Sequence, residues 1–118
     1  MEEQRKYRRY TVEGQIIIKL KSDMSRTIRG ELVDICALGV GAYAQENLPV
    51  GAEADFILIN KFLEKSLIGI GKIKYSLALE KDGKQLFRIG VEFTKVDGTI
   101  IQRIIDGVQK GVSSNDKT

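Results

Sequence analysis

Apolar residues recur at every second position along most of this chain, and then the period changes once. Phe87, Ile89, Val91 and Phe93 alternate with Arg88, Gly90 and Glu92, which sorts them onto opposite faces of an extended strand. Ile16, Ile18 and Leu20 alternate in the same way with Lys19 and Lys21. Ile28 and Leu32 do so against Arg29, Glu31 and Val33, and Val40, Ala42 and Ala44 against Gly41 and Tyr43. Ala54, Phe56 and Leu58 share one side of a further run. Past Asp97 the spacing becomes helical: Ile100, Ile101, Ile104, Ile105 and Val108 form one stripe. These patterns predict strands over 15–21, 27–34, 40–44, 52–59, 66–76 and 85–93, followed by one amphipathic helix capped by Asp97.

Turn signals separate the runs. Ser22 to Arg26 reads as a polar turn, and Asn47-Leu48-Pro49-Val50-Gly51 as a turn by its Pro and Gly. Asn60 to Lys65 fits a loop or a single helical turn. Lys81-Asp82-Gly83-Lys84 is a hairpin signal. Gly30 suggests a bulge or a close approach. In the fifth run Ile68 and Ile70 share one parity and Ile73 and Tyr75 the other, the phase change of a bulge near Gly71. Gly107 and Gly111 weaken the end of the helix, and Ser113 to Thr118 reads as a frayed tail. Six short strands and one helix imply a mainly β protein: a small antiparallel barrel, closed or plugged by its C-terminal helix, with no exposed strand edges.

A chain of 118 residues fits one such core. The predicted organisation is a flexible, arginine-rich N-terminal arm over 1–11, the barrel and helix over 12–111, and a disordered tail over 112–118. Net charge is +3, too weak for a protein that coats nucleic acid. Arg5, Lys6, Arg8 and Arg9 nevertheless crowd the arm, which suggests a discrete anion site. A non-specific single-strand binder is disfavoured by that modest charge and by unpatterned aromatics. The single cysteine forms no intrachain disulfide, the N-terminus lacks the apolar core of a signal peptide, and no apolar run approaches the ~20 residues that span a bilayer. The expected compartment is the cytoplasm, without membrane insertion.

Enzyme chemistry finds little purchase. The sequence has no histidine, so histidine-based acid–base catalysis and the common histidine metal sites are absent. Cys36 has no histidine to activate it, and a lone cysteine otherwise serves as a small buried near-hydrophobe. No P-loop or dinucleotide fingerprint occurs; Gly69 and Gly71 resemble only half of one. The expectation is a non-enzyme with no catalytic residues, no metal and no cofactor.

Binding is better supported. Arg5 and Arg9 lie four apart with Arg8 between, and guanidinium groups match phosphates and the O6/N7 edge of guanine. Asp34-Ile35-Cys36-Ala37-Leu38-Gly39-Val40-Gly41 ends one alternating run and starts another. Asp34 and Cys36 share parity, and a carboxylate can accept from guanine N1–H and N2–H2. An ordinary strand–turn–strand corner and a small-molecule ledge both fit this stretch.

Arg5-Lys6-Tyr7-Arg8-Arg9 is an RxxxR box, and Asp34-Ile35-Cys36-Ala37-Leu38-Gly39 resembles a [D/N]xSxxG box with Cys in the Ser position. In this order and on this strand pattern the two boxes resemble the PilZ domain family. Ile89-Gly90-Val91-Glu92-Phe93 is similar to that family's iG-x-x-F strand, and Gly71-Lys72-Ile73-Lys74-Tyr75 to a strand ending in an aromatic. The resemblance covers roughly residues 4–110. It implies a six-stranded PilZ-type barrel that receives the bacterial second messenger cyclic di-GMP. By motif position Arg5, Arg8 and Arg9 would grip guanine edges and phosphates, and Asp34 would accept from a guanine. Cys36 would replace a ligand-bonding serine, Gly39 would permit close backbone approach, and Tyr75 is a candidate for base stacking. The arm would fold over the ligand and relay the signal to an effector protein. The alternative is a degenerate PilZ module that contacts proteins without binding the nucleotide. DNA and RNA are not expected partners.

Overall fold

A computed structural model describes residues 8–116 of the chain. Seven strands and one helix follow in the order β1 (Tyr10–Thr11), β2 (Gln15–Leu20), β3 (Asp23–Ile35), β4 (Gly39–Ala44), β5 (Glu53–Ile59), β6 (Leu67–Lys81), β7 (Lys84–Lys95) and α1 (Gly98–Asp116). The sheet order β1-β3-β2-β5-β6-β7-β4, with β4 pairing back onto β3, closes a six-stranded antiparallel barrel and leaves β1 attached to β3. Six barrel strands and a C-terminal helix are the architecture that the alternation and the period change predict.

The inward residues are those the patterns select. Ile16, Ile18, Leu20, Ile28, Leu32, Val40, Ala42, Ala44, Ala54, Phe56, Leu58, Ile89 and Val91 are buried. Each fully buried aliphatic side chain contributes about 1.5–3 kcal/mol relative to exposure. The helix adds Ile101, Ile104 and Ile105 to the same core, with Ile100 and Val108 at its margin. Asp97 caps α1: its carboxylate accepts from Thr99 N at 3.0 Å. Asp82 (φ 54°) and Gly83 (φ 76°) form the hairpin turn between β6 and β7.

Three local expectations are revised, and the 60–65 segment takes the loop form of the two expected. The turn after β2 is confined to Lys21 and Ser22, because Leu20 already pairs with Asp23 and β3 starts there. Residues 60–66 form a loop held by buried Asn60, which donates to Glu13 O (2.7 Å) and accepts from Phe62 N (2.8 Å). Helix α1 continues past the expected end near residue 111 to Asp116, and Gly107 lies within it. A Cβ on Gly107 would come 2.6 Å from the Phe62 ring, so the glycine admits the loop rather than ending the helix.

The third revision concerns β6. Register shifts occur between Ile70 and Gly71, as expected, and again between Ile73 and Tyr75. Yet Ile68 and Ile70 are not on the inner face; Leu67, Gly69, Gly71 and Ile73 are. The Phe56 ring and Val91 occupy the space above Gly69 and Gly71, at 2.5 and 2.7 Å from ideal Cβ positions, so two glycines stand where side chains would not fit. The second shift turns Tyr75 outward, onto a different face from Ile73, opposite Gly90.

Candidate functional site

Four strands bring one rung across the outer face of the barrel. Asp34 on β3 pairs with Gly41 on β4, Gly41 with Gly90 on β7, and Gly90 with Tyr75 on β6. Thr11 of β1 extends the rung beyond Asp34. Both central residues are glycines for a steric reason. A Cβ on Gly41 would stand 2.6 Å from Asp34 Oδ1 and 2.8 Å from a terminal guanidinium nitrogen of Arg88. A Cβ on Gly90 would fall within the Tyr75 ring, which lies over that backbone. The two glycines are the floor on which the Asp34, Arg88 and Tyr75 side chains meet.

Asp34 is held from two sides. Its Oδ1 accepts from Arg9 at 3.2 Å and its Oδ2 from Arg88 at 2.7 Å. The carboxylate side chain is 17% exposed, against 45% for Arg9 and 24% for Arg88, so Arg88 is the inner partner and Arg9 the outer one. Partial burial works against the charge of both arginines. Asp34 and Tyr75 outweigh it, and both guanidinium pKa values lie above the ordinary arginine value. The site is therefore permanently cationic around one carboxylate.

Arg88 carries a further signal. Its Nε is buried with no hydrogen-bond partner among the described residues, which is costly for a charged donor. Its guanidinium also sits 5.7 Å from the centroid of the Tyr43 ring, whose other neighbour is Lys81 at 5.0 Å. Alternation placed Arg88 on the outer face but gave no hint of Asp34 as its partner, 54 residues away. Only the paired registers of β3, β4 and β7 connect them. Arg88→Ala should lower stability by about 1–2 kcal/mol, less than the ~3–5 kcal/mol of a fully buried pair because the site is partly wet. Denaturant titration checks this; an unchanged midpoint would show that Arg9 alone suffices for Asp34.

The other residues singled out in the sequence distribute as follows. Arg9 reaches Asp34 because Tyr10 and Thr11 form β1 against Ile35 and Asp34. Tyr10 is fixed in turn by α1, whose Gln109 amide donates to its hydroxyl at 3.2 Å. Arg8 is exposed, its guanidinium 5.6 Å from the Tyr10 ring centroid rather than beside Asp34. Arg5 and the rest of residues 1–7 lie outside the described residues. Tyr75 stands at the end of the rung, half-buried, with one ring face against Gly90.

Cys36 and Gly39 close the corner. Cys36 is buried, and its Sγ accepts from Leu38 N at 3.4 Å while its own N–H donates to Gly39 O at 2.9 Å. The thiol thus shapes the turn. Gly39 does allow a close backbone approach, but of β7: a Cβ there would collide with the Val91 carbonyl. Among the described residues no group of acidic, Cys or His side chains could hold a metal ion, and no helix is long and apolar enough to cross a membrane.

No protein-family model and no curated protein sequence matches the chain. Solved structures do. The PilZ domain of YcgR from Escherichia coli, solved with c-di-GMP, superposes with a TM-score of 0.75 at 16% identity, covering 98% of both chains. YcgR from Escherichia coli in complex with c-di-GMP matches with a TM-score of 0.74 and 20% identity over 97% of this chain. The Bacillus subtilis inhibitor of motility MotI/DgrA matches with a TM-score of 0.70 and 14% identity over 94% of it. The chain spans about half the length of these last two, 50% and 52%. At these identities the likeness establishes the fold: the chain is built as a PilZ-type domain.

Proposed function

We propose that the protein is a non-catalytic receptor for cyclic di-GMP that passes the bound state to another protein. The observation that carries this reading is the convergence of Arg9, Asp34, Arg88 and Tyr75 on a floor of two glycines. Arginines offer paired donors to a guanine O6/N7 edge or a phosphate, and the carboxylate accepts what guanine N1–H and N2–H2 donate. Tyr75 offers a flat face for a base beside them. The c-di-GMP complexes among similarly folded proteins support the same ligand class. The reading places the protein in a bacterial cytoplasm and calls for no cofactor.

The binding step follows from the charges. Asp34 already accepts from two arginines, and in this reading a guanine takes over the outer of those bonds. Arg9, the more exposed partner, is the one released. Its guanidinium then turns to the ligand, and because Arg9 leads directly into β1, the ligand alters the arm. Arg88, the inner partner, keeps Asp34 in place. Titration calorimetry with purified protein tests the reading: cyclic di-GMP should release heat with saturable affinity, and GMP should bind far more weakly. No heat at high micromolar dinucleotide would reject it.

The buried, turn-forming Cys36 favours one rival, the module that binds proteins but no nucleotide. A serine at that position would accept the same Leu38 N–H and add a stronger hydroxyl donor. One neutral hydrogen bond is worth about 0.5–1.5 kcal/mol. Cys36→Ser should therefore hold affinity or raise it by up to about tenfold. A large loss in calorimetry would show that the thiol contributes something that a hydroxyl cannot.

A further inference from the structure

The barrel wall formed by β2, β5 and β6 exposes isoleucines where polar residues are expected. Ile17, Ile57 and Ile68 form one outward rung, since Ile17 pairs with Ile57 and Ile57 with Ile68. Ile59 lies one outward step along β5, and Ile70 one outward step along β6. Ile68 is 72% exposed and Ile59 39% exposed, while Ile17, Ile57 and Ile70 are half-buried. Their inward neighbours Ile16, Ile18, Phe56, Leu58 and Leu67 already fill the core, so these five isoleucines contribute nothing to it. Antiparallel sheets normally turn polar residues to water, and a contiguous apolar patch on such a face marks a contact surface.

The rim is cationic. Arg29 flanks Ile17 across the β2–β3 pair, Lys95 stands opposite Ile70, and Lys19 and Lys72 border the lower rows. None of these four has an ion-pair partner among the described residues. Three carboxylates share this wall: Asp55, held by Lys21 at 2.9 Å, and Glu53 and Glu92, which both stand opposite Lys72, so the uncompensated cations are Arg29, Lys19 and Lys95. A second copy of this chain would set these cations against their own equivalents, which is unfavourable. A lipid surface is a poorer match, because short β-branched side chains on a sheet protrude little and the patch has no aromatic anchor.

We infer that this isoleucine face is the docking surface for an acidic amphipathic helix of a partner protein. The apolar stripe of that helix, at i, i+3, i+4 and i+7, lies across the Ile17–Ile57–Ile68 rung. Its flanking carboxylates meet Arg29, Lys19 and Lys95. The surface is separate from the Asp34 rung and stands whether or not the nucleotide reading holds.

The test is isoleucine methyl NMR on the full chain. The probe is a synthetic amphipathic helix with a leucine stripe flanked by glutamates. Addition should shift the Ile17, Ile57, Ile59, Ile68 and Ile70 methyls and leave Ile16, Ile18 and Ile28 in place. The same peptide with lysines for glutamates should bind at least about tenfold more weakly, and Ile68→Lys should weaken the glutamate peptide by a similar factor. Because Ile68 is exposed, this variant keeps the fold, and its calorimetric response to cyclic di-GMP should match wild type, which separates this failure from failure of the nucleotide reading. Three results overturn the inference: no shifts with the glutamate peptide, equal response to both peptides, or the same methyls shifting on phosphatidylserine vesicles or by self-association instead.

Discussion

Asp34→Ala should reduce cyclic di-GMP affinity by about a hundredfold or more. Among the described residues the carboxylate is the only acidic group paired with the two arginines on the glycine floor, and it is the proposed acceptor for two guanine donors. Hydrogen bonds to a charged group are worth about 1.5–3 kcal/mol each. Losing a pair therefore costs on the order of two decades of affinity or more at ~1.4 kcal/mol per decade. A second effect adds to this. Arg88 is partly buried, and without Asp34 its guanidinium has lost its counter-charge, so stability should fall as well. Asp34→Asn separates the two contributions. It keeps the shape and one acceptor oxygen but removes the charge, so its affinity loss should be nearer tenfold. Titration calorimetry on both variants, with circular dichroism to verify folding, reads the outcome. Wild-type affinity in folded Asp34→Ala would remove the carboxylate from the binding site.

Gly39→Ala should destabilise the fold rather than merely the site. In a ligand-centred reading this glycine makes room for the nucleotide, and alanine would cost affinity with little change in stability. The register says otherwise. Gly39 pairs with Glu92, and a Cβ would run into the Val91 backbone carbonyl, which cannot rotate away as a side chain can. The same corner carries the Leu38 carbonyl bond to Phe93 N at 2.7 Å. Relief requires β4 and β7 to separate at a closing seam of the barrel. Overpacking of this kind costs about 3 kcal/mol, the upper part of the usual range. At ~2.1 cal/mol/K of unfolding entropy per residue this lowers Tm by about 12 °C. Thermal unfolding by circular dichroism decides. A Tm within a degree or two of wild type, with lost nucleotide binding, would return Gly39 to a purely ligand-facing role.

Much of the architecture was readable because it depends on local periodicity. Ile89 and Val91, Ile16 and Ile18, and the stripe from Ile100 to Val108 each declare a face without knowledge of any partner. Asp97 before the stripe declares the helix start. Half of the site was readable for a different reason: Arg9 and Asp34 sit in short motifs whose chemistry is complementary. Arg88 was not, since its pairing with Asp34 exists only once β3, β4 and β7 take their registers. The outward position of Ile68 and Ile70 was not legible, because parity alone does not reveal that Gly69 and Gly71 are the inward residues. Their missing side chains leave space for Phe56 and Val91, which come from other strands. Cys36 was placed correctly at the corner, but its partner is the local backbone, not visible from spacing. Bulges and turn-level hydrogen bonds decide such matters, and both are set by tertiary contacts.

The most direct test of the central claim is amide and side-chain NMR mapping of the protein under saturating cyclic di-GMP. The account predicts the largest shifts along the Asp34, Gly41, Gly90 and Tyr75 rung and at the guanidinium resonances of Arg9 and Arg88. Saturable shifts concentrated elsewhere on the barrel, with that rung unmoved, would contradict it.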